Sequence, residues 1–260
     1  MIIIGEKLNS SIPSTLEAFE DTTNKALLEI IENNVSAGSN YLDINTAMLE
    51  DRESDKMIET VELVLNNSDL GIMIDSVDMG IVARSLTIIG SRKCIINSIS
   101  LSTDVTPLQG INLSNIGVVA MPTDDDGIPS TPTERLHKIS LLVDKLLKLG
   151  FRSENIYADI LIETIAVNQQ SALNALNTLK LVQELLPEIK TICGASNIAF
   201  GLPNRMDINS AFIIMLVSQG ISSMIIDPAH SKIKSALVIC NLLQGKDTYC
   251  MDYINYIRSL

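Results

Sequence analysis

Short unbroken apolar runs, each closing on a polar residue, recur along this chain at the spacing of a strand plus the helix behind it. The clearest is Gly71-Ile72-Met73-Ile74-Asp75-Ser76. An apolar run without alternation suits a strand buried on both faces, as in a parallel sheet. The carboxylate of Asp75 then falls at the carboxyl end of that strand, where α/β folds bind their ligands. Similar runs predict strands at residues 2–4, 41–45, 94–98, 117–122, 156–160, 191–197 and 223–228.

Between the runs, apolar residues recur at helical spacing. Ala26, Leu27, Ile30, Ile31 and Val35 mark one helix, with Gly38 beyond its end. Met57, Ile58, Val61, Val64 and Leu65 mark the next; Ile81, Val82 and Leu86 mark a third, stopped at Gly90. Thr131-Pro132-Thr133-Glu134 reads as a capping box with Pro at the first helical position, launching a helix through Leu136, Ile139, Leu142, Val143, Leu146 and Leu147 to Gly150. Further helices are predicted near 170–186, 207–219 and 233–243, a short one within the poorly patterned residues 101–115, and partial helix at 246–260. Eight such βα units in one chain, with no linker or compositional break, match a single-domain (β/α)8 TIM barrel over residues 1–260. A doubly wound open sheet is the alternative, since periodicity does not report closure.

Composition refines this reading. Of 260 residues, 46% are hydrophobic and 3% aromatic, so the core must be built from Ile, Leu, Val, Met and Ala. A formal charge of −12 repels nucleic acid and anionic membranes, which makes both poor partners. Cys94, Cys193, Cys240 and Cys250 form no C-x-x-C pair, and Cys94 and Cys193 lie in apolar runs as small buried hydrophobes. His137 and His230 stand apart, so no bound metal is expected. The N-terminus lacks the features of a signal peptide and no run is long enough to span a membrane, which makes the cytoplasm the expected location.

The candidate chemistry sits at the strand exits: Glu6, Asn9, Asp43, Asn45, Asp75, Asn97, Asp159, Ser196, Asn197 and Asp227. One such residue would read equally well as a helix cap. A barrel brings all the exits to one face, and a ring of carboxylates and carboxamides there reads as a site. The ring contains no Ser-His-Asp set, and the chain has no phosphate-cradling glycine loop. Lys7, beside Glu6, reads as an ion pair; Arg205 is the other base near an exit. Acceptors and two-way amides suit a flat heterocycle bearing amino, N–H and carbonyl groups.

Gly5-Glu6-Lys7-Leu8-Asn9, Asp43-Ile44-Asn45, Ile74-Asp75-Ser76, Ile96-Asn97-Ser98 and Gly194-Ala195-Ser196-Asn197 occur in order over nearly the whole chain. Together they resemble the pterin-binding methyltransferases that move a methyl group between methyltetrahydrofolate and a corrinoid protein. The resemblance implies a pterin held across the carboxyl-end face by Asp75, Asn97 and Asp159, with Gly194 and Ser196 at its edge. Asn197 would lie nearest the reacting N5, and Asn197 and Asp159 would be the catalytic pair. Methyltetrahydrofolate or tetrahydrofolate would be the substrate, the corrinoid would be carried by a partner protein, and the chain would form a homodimer. Glu6, Asn9, Asp43, Asn45 and Arg205 are secondary candidates. Ile160 stands where many relatives would have Pro, and Phe200 where a polar residue would meet the folate side chain, so the tail contacts stay open. Arg205 reads as a partner for the glutamate tail or as an ordinary loop ion pair, and Asp124-Asp125-Asp126 as a solvated loop or a rim of the partner interface. Two alternatives stand beside this reading. One is a folate-binding barrel without chemistry; the other is a dihydropteroate-synthase-like enzyme, ranked lower because its basic phosphate-binding set is missing.

Overall fold

The computed structural model describes residues 1–259. Eight parallel strands form one sheet: β1 (Ile2–Asn9), β2 (Tyr41–Asn45), β3 (Gly71–Asp75), β4 (Cys94–Ile99), β5 (Gly117–Ala120), β6 (Ile156–Asp159), β7 (Lys190–Ile192) and β8 (Ser223–Ile226). Their order, β7-β6-β5-β4-β3-β2-β1-β8, lacks the reversal that a doubly wound sheet requires. The remaining seam, between β7 and β8, is joined by a bridge between Gly194 and Ile225. The Ile225 N–H donates to Cys193 O at 2.9 Å, and the Ser223 hydroxyl donates to Thr191 O at 2.7 Å. The sheet therefore closes as a (β/α)8 TIM barrel, and the open-sheet alternative falls.

The helices are α1 (Pro13–Glu20), α2 (Lys25–Ser36), α3 (Glu53–Asn67), α4 (Met79–Ile89), α5 (Pro132–Leu149), α6 (Ser171–Leu185), α7 (Arg205–Ser218), α8 (Ser231–Leu243) and α9 (Met251–Arg258). The predicted capping box of α5 forms, with Pro132 in its first turn. At the start of α4, the Asp78 carboxylate accepts from the Gly80 and Ile81 N–H groups. Val35 and Leu147, expected on the apolar faces of α2 and α5, are exposed. At 3.6 residues per turn each falls at the edge of its stripe. The short helix expected within residues 101–115 is absent apart from a three-residue 3-10 turn, Thr106–Leu108. That crossover is instead held by Lys145 of α5, whose ammonium donates to the carbonyls of Ser100, Leu101 and Thr103 at 3.2, 3.1 and 3.0 Å. No helix among the described residues is long and apolar enough to cross a membrane.

The unbroken apolar runs are explained by two buried layers. Ile72 and Ile74 of β3 face the helices, whereas Met73 joins Ile4, Ile95, Val119, Tyr157 and Ile192 in the barrel interior. Burying a side chain of this size stabilises by about 1.5–3 kcal/mol. The interior is thus filled by side chains and offers no channel, so a ligand can meet it only from an end.

Candidate functional site

Side chains alternate along a strand, so the residue two positions beyond an inward one also points inward. From the interior residues Ile4, Met73, Ile95, Tyr157, Ile192 and Ile225 this step leads to Glu6, Asp75, Asn97, Asp159, Gly194 and Asp227. On β2, Tyr41 leads to Asp43 and then Asn45. The apolar plug therefore ends in a layer of carboxyls and carboxamides at the carboxyl-end mouth. Register aligns part of it directly: Asn9 pairs with Asn45, Asn45 with Asp75, and Asp75 with Asn97.

Hydrogen bonds join these groups. The Asn45 amide donates to Asp75 Oδ2 at 2.8 Å, and Asn97 Nδ2 donates to Asp43 Oδ1 at 3.4 Å. The Asn45 oxygen accepts from the Ser10 hydroxyl and the Ala47 N–H. Asn9 is engaged differently: its side-chain Oδ1 accepts from the Ser11 N–H and closes a turn. An irregular register between Gly5 and Leu8 carries Glu6 and Lys7. Gly5 makes room there for α2, since a Cβ at that position would lie 1.9 Å from Asn34 Oδ1. Lys7 does form an ion pair, but with Asp227, the residue after β8, at 3.3 Å rather than with its neighbour Glu6. Glu6 instead accepts from the Ser196 hydroxyl at 2.9 Å.

Four carboxyls of the mouth hold protons more tightly than usual. Burial raises Asp75 to about 6; Glu53 adds to the rise and the Asn45 amide opposes it. Burial raises Asp159 to about 6, against its hydrogen bond from the Leu161 N–H and the charge of Arg135. Burial and then the neighbouring Asp75 carboxylate hold Asp43 well above the carboxylate range. Burial raises Glu6 to about 7, with the Ser196 hydroxyl opposing. Desolvated acids gathered at one end of the barrel make this mouth the candidate binding site. By contrast, a cleft of ≈ 610 Å³ beside the mouth is lined by Glu17, Glu20 and Arg52 among others. There the hydrogen bond from Arg52 lowers Glu20, an ordinary exposed ion pair.

The β6 exit is built by a residue that the apolar pattern concealed. Arg135 is fully buried and donates to the carbonyls of Pro129, Ile160 and Leu161, and to Glu163 Oε2 at 3.1 Å. It falls in register with Ile139, Leu142 and Leu146 on the inner face of α5, and a base in an apolar stripe is the signal that would have found it. Leu161 adopts φ +55°, a left-handed conformation costly for a side-chain-bearing residue. Its N–H donates to Asp159 Oδ1 at 2.8 Å, so this strained turn fixes the Asp159 carboxylate.

Beyond β7, a short 3-10 turn, Ala195–Ala199, carries Ser196 and Asn197. Asn197 is exposed, and its side chain makes no hydrogen bond among the described residues. Gly194 lies beneath it: a Cβ there would sit 3.1 Å from Asn197 Nδ2. Arg205 is in no ion pair among the described residues; it donates to Ser196 O at 3.2 Å and lies 5.3 Å from the Phe200 ring. Asp124 pairs with Lys138 at 2.6 Å in a turn closed by Gly127. No group of His, Cys, Asp and Glu among the described residues is arranged to hold a metal ion.

Such a mouth offers acceptors at Asp75 and Asp159, two-way amides at Asn97 and Asn197, and a water-poor floor. It suits a planar ligand rich in N–H groups. Comparisons with known proteins agree in kind. The family described as "Pterin binding enzyme" matches residues 6–227. A curated methylcorrinoid:tetrahydrofolate methyltransferase of Eubacterium limosum is 26% identical over 99% of this chain and 96% of its own. Methionine synthase of Mycobacterium tuberculosis is 25% identical over 87% of this chain, which spans 20% of that longer protein. Among solved structures, a dihydropteroate synthase of Xanthomonas albilineans with bound 7,8-dihydropteroate has a TM-score of 0.68 at 14% identity, covering 94% of this chain and 92% of its own. One of Yersinia pestis with a pterine-sulfa conjugate has the same TM-score and identity, covering 94% of each chain. At that identity the likeness is one of fold.

Proposed function

The chain belongs to the pterin-binding enzyme family, and we propose that it transfers a methyl group between N5 of methyltetrahydrofolate and the cobalt of a corrinoid carried by a partner protein. The observation that carries this reading is the inward layer of Asp75, Asn97 and Asp159, with Asn197 beside it on an open turn. Near full-length similarity to a methylcorrinoid:tetrahydrofolate methyltransferase supports the reaction class.

In this reading Asp75 and Asp159 accept N–H groups of the pterin ring, and Asn97 both donates and accepts. Their raised pKa values are those of acids awaiting such donors: burial leaves them short of partners until a ligand arrives. Gly194 and Ser196 border the ring. Asn197 hydrogen-bonds N5, and that bond strengthens as the electron pair of the breaking C–N bond collects on nitrogen. The nucleophile, reduced cobalt, comes with the partner, and the barrel contributes orientation and electrostatics. Exposed Met48, Val77, Ile128, Val167 and Phe200 all lie in loops that leave strand carboxyl ends, which supports docking of a protein over the mouth. A homodimer belongs to the same reading; Ile214 and Met215 leave apolar surface on α7 for a second copy.

The test is titration with methyltetrahydrofolate followed by addition of reduced cobalamin. Appearance of the methylcobalamin spectrum supports the reading; pterin binding without transfer supports a carrier instead. Condensation of a pterin pyrophosphate with aminobenzoate would favour a synthase.

A further inference from the structure

Departure of the methyl group as cobalt attacks leaves an electron pair on N5, and that nitrogen must gain a proton. The Asn197 amide is no acid, and Asp75 and Asp159 are needed as ionised acceptors while the pterin is bound. Two carboxyls of the mouth are then uncommitted, the buried Asp43 and the half-buried Glu6. Asp43 accepts from the Asn97 amide and pairs with Met73, two residues before Asp75 in register. Glu6 faces the turn that carries Asn197 and contacts its Ser196 hydroxyl at 2.9 Å.

We propose that Glu6 is the proton reservoir for N5, delivering through the Ser196 hydroxyl. The inference rests on the methyl-transfer reading and deepens it. The step balances as follows. The electron pair of the reduced corrinoid cobalt forms the carbon–cobalt bond, and the cobalt is formally oxidised by two electrons. The carbon–N5 bond breaks, with its electrons remaining on N5. Once Glu6 is protonated, its O–H donates to the Ser196 oxygen, reversing the hydrogen bond that Ser196 makes to the carboxylate. N5 then takes the Ser196 hydroxyl proton as Ser196 takes the proton of Glu6. The carboxylate left behind regains a proton from solvent after release. In the opposite direction the Glu6 carboxylate receives the N5 proton by the same route.

Groups from each surrounding element suit Glu6 to this duty. Asp227, just past β8, opposes its ionisation, whereas Lys7 of β1 and Arg205 of α7 favour it; Glu6 in turn helps to keep Asp43 of β2 protonated. Lys7 is shared with Asp227 at 3.3 Å, and Arg205 donates to Ser196 O at 3.2 Å, so both cations stand close without neutralising the acid outright. Burial sets the balance, holding the carboxyl near 7, where it can both give and regain a proton.

The experiment measures single-turnover formation of methylcobalamin from methyltetrahydrofolate and reduced cobalamin across pH 6–9, for the parent, E6Q, E6D and S196A. The amide of E6Q keeps a hydrogen bond to Ser196 but has no acidic proton. Its rate should fall roughly 10²-fold, and it should lose the decline that the parent shows as pH rises past about 7, while binding tetrahydrofolate as the parent does. E6D, still an acid, should recover part of the rate and the pH-dependent decline. S196A should show the same loss of rate and of the pH-dependent decline, and it carries the test should E6Q not fold. An E6Q or S196A protein with the parent's rate and pH profile overturns the inference and leaves the methyl-transfer reading standing. A parent that binds pterin yet never methylates cobalamin overturns both.

Discussion

In the proposed pose Asp75 sets binding against stability, and replacing it by Asn separates the two. Its pKa moves from 3.8 to about 6 on folding. Each unit is worth about 1.36 kcal/mol, so the ionised side chain costs the folded protein about 3 kcal/mol at pH 8. The sign follows from the direction: a pKa raised by folding favours the native state at low pH and loses that contribution as pH rises through about 6. Asp75→Asn removes the penalty and keeps an oxygen to accept from the Asn45 amide at 2.8 Å. That bond loses its charge-assisted part, about 1 kcal/mol. A net gain of about 1–3 kcal/mol remains, raising Tm by roughly 3–10 °C at pH 8 and by almost nothing near pH 4. Pterin binding moves the other way. Losing a hydrogen bond to a charged acceptor costs about 1.5–3 kcal/mol, which weakens tetrahydrofolate about 10- to 150-fold. Thermal melts at the two pH values and calorimetric titration read both effects. A variant that is less stable at pH 8, or that binds tetrahydrofolate undiminished, would refute the reasoning.

Other perturbations probe the remaining supports. Arg135→Ala strips four buried or half-buried acceptors of their donor and should destabilise by about 3–5 kcal/mol in urea melts; a variant as stable as the parent would show that the β6 exit holds itself. Gly194→Ala places a methyl 3.1 Å from Asn197 Nδ2. It should cut methyl transfer roughly tenfold, and an unchanged rate would mean that the position of Asn197 does not matter. Tetrahydrofolate affinity should be flat at high pH and weaken below about 6, where Asp75 and Asp159 must release protons to accept from the ring. Affinity unaltered on acidification would remove carboxylates from the pterin contact.

Much of this was legible because a strand buried on both faces leaves an unmistakable trace. Gly71–Asp75 reads as strand and site in one line, since the same alternation that sends Met73 into the barrel sends Asp75 to its mouth. Closure was not legible: it depends on a single bridge at Gly194 and on the Thr191 and Ser223 contacts, none of which has periodicity. Residues 101–115 misled for a related reason. Their order comes from Lys145, a distant donor to their carbonyls, and no local pattern reports that. Lys7 was matched with its sequence neighbour, but the β1 irregularity brings it to Asp227. Arg135 was missed because a charged residue in an apolar stripe reads as an interruption, when it is the ligand of three backbone carbonyls.

The most direct measurement is methylcobalamin formation from methyltetrahydrofolate and reduced cobalamin, comparing the parent with Asn197→Ala. The Asn197 side chain is exposed and makes no hydrogen bond among the described residues, so the variant should fold and bind tetrahydrofolate. Its transfer rate should drop roughly 10²- to 10³-fold, the scale of one hydrogen bond made strongest in the transition state. Equal rates in the two proteins would contradict the account, as would a parent that leaves cobalamin unmethylated.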